Sequence, residues 1–298
     1  KHRRRQRQMC IRDREKIVRN RTVDSLRGLA VLLMVMVHAA ATWNPFYSAQ
    51  SSILAYSVAG LGGLAAPLFV TIFGWGLAKS RASQRSNLIK AIILLLLQVI
   101  VNLSSPHLYD VFTPGILSLF ALLILLKPLI LKIISTMQTL FGFVGITVVV
   151  ILFNDLVYNI QGSNSWDSRV FTDSIVAALN HLLLTGTYPL FPWMIYAVVG
   201  AFLGSSITEG GKTLPRNNTT LLLIIIGMSY CLVSLILANE EGSIWAHPTK
   251  GAYLNFFPAN IGFMIGSMTG VLIFWLIIQE LQISMFEYCG RLSLTIYV

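Results

Sequence analysis

Apolar residues along this chain come in long unbroken runs, not in alternating or one-sided patterns, and short basic or mixed loops separate them. Runs of about 17–25 residues are what a helix needs to cross the hydrocarbon layer of a bilayer. They predict spans near 28–43, 53–78, 88–103, 114–126, 136–153, 188–203, 219–237 and 261–278, with a ninth opening at 286. The fourth run is short and meets Lys127-Pro128, so the 114–153 region offers more than one way to break into helices. The expected fold is all-α, a polytopic transmembrane bundle of about eight spans plus a truncated ninth. From Phe286 to Val298 there are 13 residues, too few to cross ~30 Å at 1.5 Å per residue, so the native chain is expected to continue.

Composition sharpens this picture. The 298 residues are 55% hydrophobic and 11% charged, with a mean hydropathy of +0.71. A soluble domain is about 25% charged, so a water-facing enzyme, a disordered chain and a fibrous repeat are excluded. The net charge of +10 could suggest nucleic acid, but its distribution argues otherwise: 11 of the 22 Lys and Arg lie in residues 1–27, and most of the rest flank apolar runs. With the N-terminus in the cytoplasm, 20 basic residues fall on inner segments and two, Arg169 and Lys250, on outer ones. Acids divide evenly, as the positive-inside rule allows. Residues 1–14 resemble translated adapter sequence; without them the ratio is still 13 to two. The chain therefore divides into a basic cytoplasmic segment, 1–20, and a transmembrane domain, 21–298, incomplete at its C-terminal end.

Two outer segments stand apart from the spans. Residues 154–187 contain a polar stretch and then an expected amphipathic helix over about 172–184. Residues 239–260 carry Trp245, His247, Tyr253, Phe256, Phe257 and Pro258, read as an interfacial aromatic belt or as a sugar-stacking surface. The three cysteines have no CxxC spacing and the five histidines no HxxH or HExxH, so no catalytic metal is expected.

The chemistry concentrates on the first span, Arg21-Thr22-Val23-Asp24-Ser25-Leu26-Arg27-Gly28-Leu29-Ala30 and on to His38. At 100° per residue, Arg27 and His38 share one helix face, and Asp24 lies about 40° from His38 on the same wheel, up to ~21 Å away along the axis. An ionisable imidazole at hydrocarbon depth is costly unless it faces the bundle interior or a wet cavity. His38 is thus a candidate catalytic residue, with structural hydrogen bonding to a neighbouring helix, or snorkelling outward beside Trp43, as the alternatives. Asp24 and Arg27 could equally cap and anchor the helix.

This stretch resembles the integral-membrane acyltransferase superfamily, including the acyltransferase-3 family. Further motifs are similar to the heparan-alpha-glucosaminide N-acetyltransferase family: Ala66-Pro67-Leu68-Phe69-Val70-Thr71-Ile72-Phe73-Gly74-Trp75-Gly76, Thr113-Pro114-Gly115, Pro189-Leu190-Phe191-Pro192-Trp193 with Gly200 and Gly204, and Cys289-Gly290-Arg291-Leu292-Ser293-Leu294-Thr295-Ile296-Tyr297. The resemblance implies transfer of an acyl group, commonly acetyl from acetyl-CoA, to a carbohydrate-type acceptor at or across a membrane. It implies His38 as general base or transient acyl carrier, with Asp24 and Arg27 beside it in the catalytic set. Arg27, Arg81 and Arg85 would receive the phosphates of CoA, although topology anchoring explains Arg81 and Arg85 as well. Some members place a histidine in the outer loop after the first span; residues 44–52 contain none, which leaves that role to His38. His107, His181 and His247 are read as solvated loop residues. The glycines around 60–63 and 74–76 are read as helix-packing positions, with close approach of a pantetheine arm as the alternative. A competing reading is a transporter of a sugar or lipid-linked intermediate with His38 and Asp24 as a proton relay; a third is an assembly subunit with no site.

Overall fold

The computed structural model describes residues 20–42, 53–137, 161–162, 165–205, 213–214, 216, 218–248, 251–281 and 283–297, with scattered positions between 149 and 160. Most of the predicted fifth span, and the 44–52 segment, lie outside the described residues.

Helices dominate. In chain order they are α1 (Arg21–Thr42), α2 (Ile53–Gly62), α3 (Ala65–Lys79), α4 (Gln84–Ser104), α5 (Ile116–Leu125), α6 (Lys127–Met137), α7 (Asp167–Val170), α8 (Ile175–Asn180) with a π-helical turn at His181–Thr185, α9 (Leu190–Ser205), α10 (Asn218–Glu240), α11 (Ile261–Leu281), α12 (Ser284–Arg291) and α13 (Ser293–Tyr297). Two strands of two residues, β1 (Ala246–His247) and β2 (Leu254–Asn255), pair in parallel within the long loop before α11.

Among the described residues five helical stretches are long and apolar enough to cross a membrane: Arg21–Ala40, Gly60–Lys79, Gln84–Ser104, Thr220–Glu240 and Ile261–Leu281. Two bent pairs raise this to as many as seven: α5 with α6, bent by 71°, and α8 and its π turn with α9, bent by 49°. The predicted second span is broken near Gly62–Leu64 into α2 and α3, and the fourth turns sharply where Lys127-Pro128 follows α5. Proline forces the second break, since its ring removes a backbone donor and excludes the preceding turn.

Local chemistry sets the helix starts. Asn20 Oδ1 accepts from Val23 N at 3.1 Å, Ser83 caps α4 through Ser86 N, Ser174 caps α8 through Ala177 N, and Asn260 Oδ1 accepts from Phe263 N at 2.8 Å. Each side-chain oxygen satisfies a donor that the first turn leaves without a helical partner.

The core is built on α3 crossing α9. A methyl group at Gly74 would collide with the Ala197 carbonyl, and one at Gly200 with the Thr71 carbonyl, so these positions let two backbones touch. The packing reading of Gly74 holds. Around this seam lie Trp193, Tyr196 and Ala201 on one side and Leu68, Ile72, Val271 and Trp275 on the other, all buried. Tyr196 and Ser267 share a hydroxyl hydrogen bond of 2.6 Å, and Trp275 Nε1 donates to Thr213 Oγ1 at 2.7 Å, so the buried polar tips are satisfied. In contrast, α4 and α10 expose rows of Leu and Ile, including Leu96, Leu103, Leu222 and Ile225, the surface that a lipid-facing helix presents. The aromatics of the long loop do not stand singly: Phe256 packs edge-on to Trp193, Phe257 and Phe263, and Phe257 to Trp166.

Candidate functional site

The start of α1 meets the end of α3 through Arg27 and Gly76 and meets α12 through Arg21 and Glu287, and the start of α6 meets the end of α3 through Lys127 and Ser80. This end of the bundle is called here the basic face, and the end where α1 stops the far face. α1 enters at the basic face and ends at the far face.

At the start of α1, Asp24 is 1% exposed and its Oδ1 accepts from Arg27 Nη1 at 3.2 Å, one turn on. The short α12 packs against this turn: a methyl at Gly28 would strike the Phe286 carbonyl, and one at Gly290 the Asp24 carbonyl. Glu287 of α12 accepts from Arg21 Nε at 3.0 Å and also from Arg291. The hydrogen bonds from Arg21 and then Arg291 hold its carboxyl below the usual glutamate range. An open cleft of about 520 Å³ lies beside it, lined by Ser284, Met285, Glu287, Tyr288 and Arg291. The Asp24–Arg27 pairing was legible as an i, i+3 spacing. The Arg21–Glu287 pair, 266 residues apart, was not.

Arg27 also reaches α3: its Nη2 lies 3.9 Å from where a Cβ on Gly76 would stand. The next turn of α3 carries Lys79, whose ammonium sits 5.9 Å from the Trp75 ring centre, within cation–π range. Arg81 and Arg85 follow, both exposed at the basic face. A residue that sequence reasoning passed over joins them: Lys127, only 8% exposed, donates from Nζ to the Ser80 carbonyl at 2.5 Å. Its signal was the charge itself, sitting where an apolar run meets Pro128.

His38 stands near the far end of α1, eleven residues beyond Arg27, or about 16.5 Å at the helical rise. It is exposed, and Nδ1 lies 2.8 Å from the Met34 carbonyl of the preceding turn. A carbonyl can only accept, so Nδ1 carries the hydrogen and the neutral ring holds its lone pair on Nε2. The structure thus brings Asp24, Arg27 and the α3 end together and leaves His38 at the other end of the same helix.

The far face contains a polar assembly that the sequence did not announce. Gln98 Nε2 donates to Asn102 Oδ1 at 2.9 Å while its Oε1 accepts from Leu117 N at 3.2 Å. Asn102 Nδ2 donates to the Val111 and Thr113 carbonyls at 3.0 and 2.8 Å. Thr113 Oγ1 donates to the Val170 carbonyl at 2.5 Å, and Asp110 accepts from Thr172 N at 2.6 Å. Arg169, 1% exposed, donates to the carbonyls of Thr185, Gly186 and Gln161 at 3.1, 3.1 and 3.3 Å. Burial pushes its pKa down to about 10, which still leaves a cation at neutral pH. His181 is buried, with Nε2 2.9 Å from the Phe171 carbonyl and Nδ1 2.8 Å from Thr185 Oγ1. It is not the solvated loop histidine expected; it ties the π turn to the segment before α8. His107 is exposed and His247 half-buried. Among the described residues no three His, Cys, Asp or Glu converge on a metal position.

An all-helical bundle with lipid-facing flanks and several apolar crossings defines a multi-pass membrane protein. A family profile described as "Heparan-alpha-glucosaminide N-acetyltransferase, catalytic" matches residues 19–236. The chain belongs to that family of membrane acetyltransferases, and the match encloses Asp24, Arg27, His38, Arg81, Arg85 and Lys127. No curated protein matches the chain.

Proposed function

We propose that this protein moves an acyl group, acetyl in the first instance, from acyl-CoA to a carbohydrate-type acceptor at or across the membrane. The observation that carries the reading is the family match over 19–236, which contains the whole of α1. In the proposed arrangement the N-terminus is cytoplasmic, 21–298 is the catalytic domain, and about eight spans and part of a ninth surround the path between the two faces.

The donor binds with its phosphates at the basic face, on Arg27, Arg81 and Arg85. Guanidinium groups suit this task because their planar forks match phosphate oxygens two at a time. Asp24, buried against Arg27, fixes the direction of that fork. The ~16.5 Å between Arg27 and His38 along α1 is then the interval that the extended pantetheine arm bridges, with the thioester near His38. His38 Nε2 takes the proton from the acceptor hydroxyl or amine as that atom attacks the thioester carbonyl. The new C–O or C–N bond forms, the C–S bond breaks, and the departing thiolate leaves as CoA. The Met34 carbonyl supports this role: it holds the ring in the tautomer whose basic nitrogen is Nε2, and it stabilises the imidazolium once the proton has moved.

The test is acetyl transfer from labelled acetyl-CoA by the purified full-length protein, wild type against His38→Ala. The variant is expected to turn over at least ~100-fold more slowly, the usual loss on removing a general base. Unchanged turnover removes His38 from the mechanism. Nothing in the fold or the family match favours the transporter reading.

A further inference from the structure

We infer that Lys127 is a phosphate-binding residue of the donor site, specific for the nucleotide end of CoA; the inference rests on the acyltransferase reading above.

The argument begins with cost. A lysine is almost never fully buried unless paired, and a buried ammonium without a counter-charge is disfavoured by desolvation. Lys127 is more than nine-tenths buried, its bond is to the Ser80 carbonyl, and it makes no ion pair among the described residues. Capping explains part of this. Ser80 closes α3, with its N–H donating to the Gly76 carbonyl at 3.0 Å, and a cation at a helix C-terminus is favourable. A neutral donor would serve the same carbonyl at a lower desolvation cost.

What surrounds that carbonyl supplies the further reason. Arg27 Nη2 stands against Gly76 on the same closing turn, Lys79 lies over Trp75, and Arg81 follows Ser80 directly in the chain. Cations from three separate elements, α1, the end of α3 and the start of α6, stand along one turn, and of these Arg27 has Asp24 as its counter-charge. Like charges repel, so an arrangement of this kind gains most when a polyanion lies among them. Lys127 sits at the 71° bend between α5 and α6, which turns its chain under the loop from Ser80 to Ser83. Its ammonium can exchange the single carbonyl for a phosphate oxygen by rotating about its flexible stem.

The probe is 3′,5′-adenosine bisphosphate, the nucleotide end of CoA without the pantetheine. Its binding is measured on the full-length protein in phosphatidylcholine nanodiscs, where no anionic headgroup competes. Lys127→Met is expected to weaken binding about tenfold or more, and Lys127→Arg far less, as for loss of one charge-assisted hydrogen bond. Lys127→Gln keeps a donor for Ser80 without the charge; it separates capping from phosphate binding and decides the matter if the Met variant does not fold. In kinetics, the KM for acetyl-CoA should rise in the Gln variant much more than that for acetyl-pantetheine. Equal losses on both donors, or unaltered bisphosphate affinity in the Gln variant, overturn the assignment, as does a wild type that does not bind the bisphosphate. If the wild type binds it but transfers no acetyl group, the acyltransferase reading fails while the Lys127 site stands. A site for lipid headgroups instead shows itself as bisphosphate binding that phosphatidylglycerol nanodiscs abolish and Lys127→Gln leaves unaltered.

Discussion

The two ends of this bundle solve the same problem differently. At the basic face, polar side chains meet one another: Asp24 with Arg27, and Glu287 with Arg21 and Arg291. At the far face most of the bonds run to the backbone: Arg169, Asn102, Thr113 and His181 each address main-chain carbonyls, beside the side-chain pairs Gln98–Asn102 and His181–Thr185. Pairs held by exposed guanidiniums, as those of Arg21 and Arg291 are, are individually weak and can be exchanged for a ligand. Carbonyls held by a buried guanidinium have nowhere else to turn. The contrast leaves the basic end able to exchange its partners and the far end fixed in shape.

Removing the fixed end should have the largest effect. Arg169→Met leaves the carbonyls of Thr185, Gly186 and Gln161 without their donor, and about 3–5 kcal/mol of stability is expected to go with it. The Tm in detergent should fall, and protease should cut first between 161 and 187. A Tm within a degree or two of wild type means that the far-face assembly is not the anchor described. Next in size is the central seam. Gly200→Ala drives a methyl into the Thr71 carbonyl, at a cost of about 1–3 kcal/mol; a variant as stable as wild type shows that α3 and α9 can part freely.

The smallest effect belongs to Glu287, and it depends on pH. Its pKa is lowered in the folded protein, so its contribution is present above the ordinary glutamate value of about 4.3. It is lost as pH falls from there through the lowered folded value. Thermal unfolding followed from pH 6 to pH 3 should show wild type and Glu287→Gln approaching each other toward the acid end. A constant difference across that range assigns the stability to something other than this carboxylate.

How much of this was legible depends on what each feature requires. Five of the spans were, because an apolar run long enough to cross lipid is a local property: α1, α3, α4, α10 and α11 lie where the runs predicted. Bent pairs raise the number among the described residues to seven at most, short of the expected eight and part of a ninth. Close glycine packing at Gly74 was legible from composition, although its partner Ala197, and Thr71 as the partner of Gly200, were not. The Asp24–Arg27 pair followed from helical spacing. The bend after Leu126 was announced by Lys127-Pro128, but its 71° magnitude was not. Glu287 and Lys127 could not be read as partners of Arg21 and Ser80, since each pair joins segments far apart in sequence. The far-face assembly was hidden for a different reason. Its acceptors are carbonyls, which every residue carries, so only the folded path of 161–187 reveals which ones Arg169 and His181 find. His38 was singled out by depth and chemistry; its bond to Met34 adds the tautomer.

Where α3 crosses α9, main chain rests on main chain, with no side chain between them to act as a bearing. Such a seam cannot slip by a fraction of a turn without collision, so the two helices travel as one stiff strut. Any rocking within this bundle is left to the helices flanking that strut, α4 and α10 among them, whose outer rows of Leu and Ile are exposed.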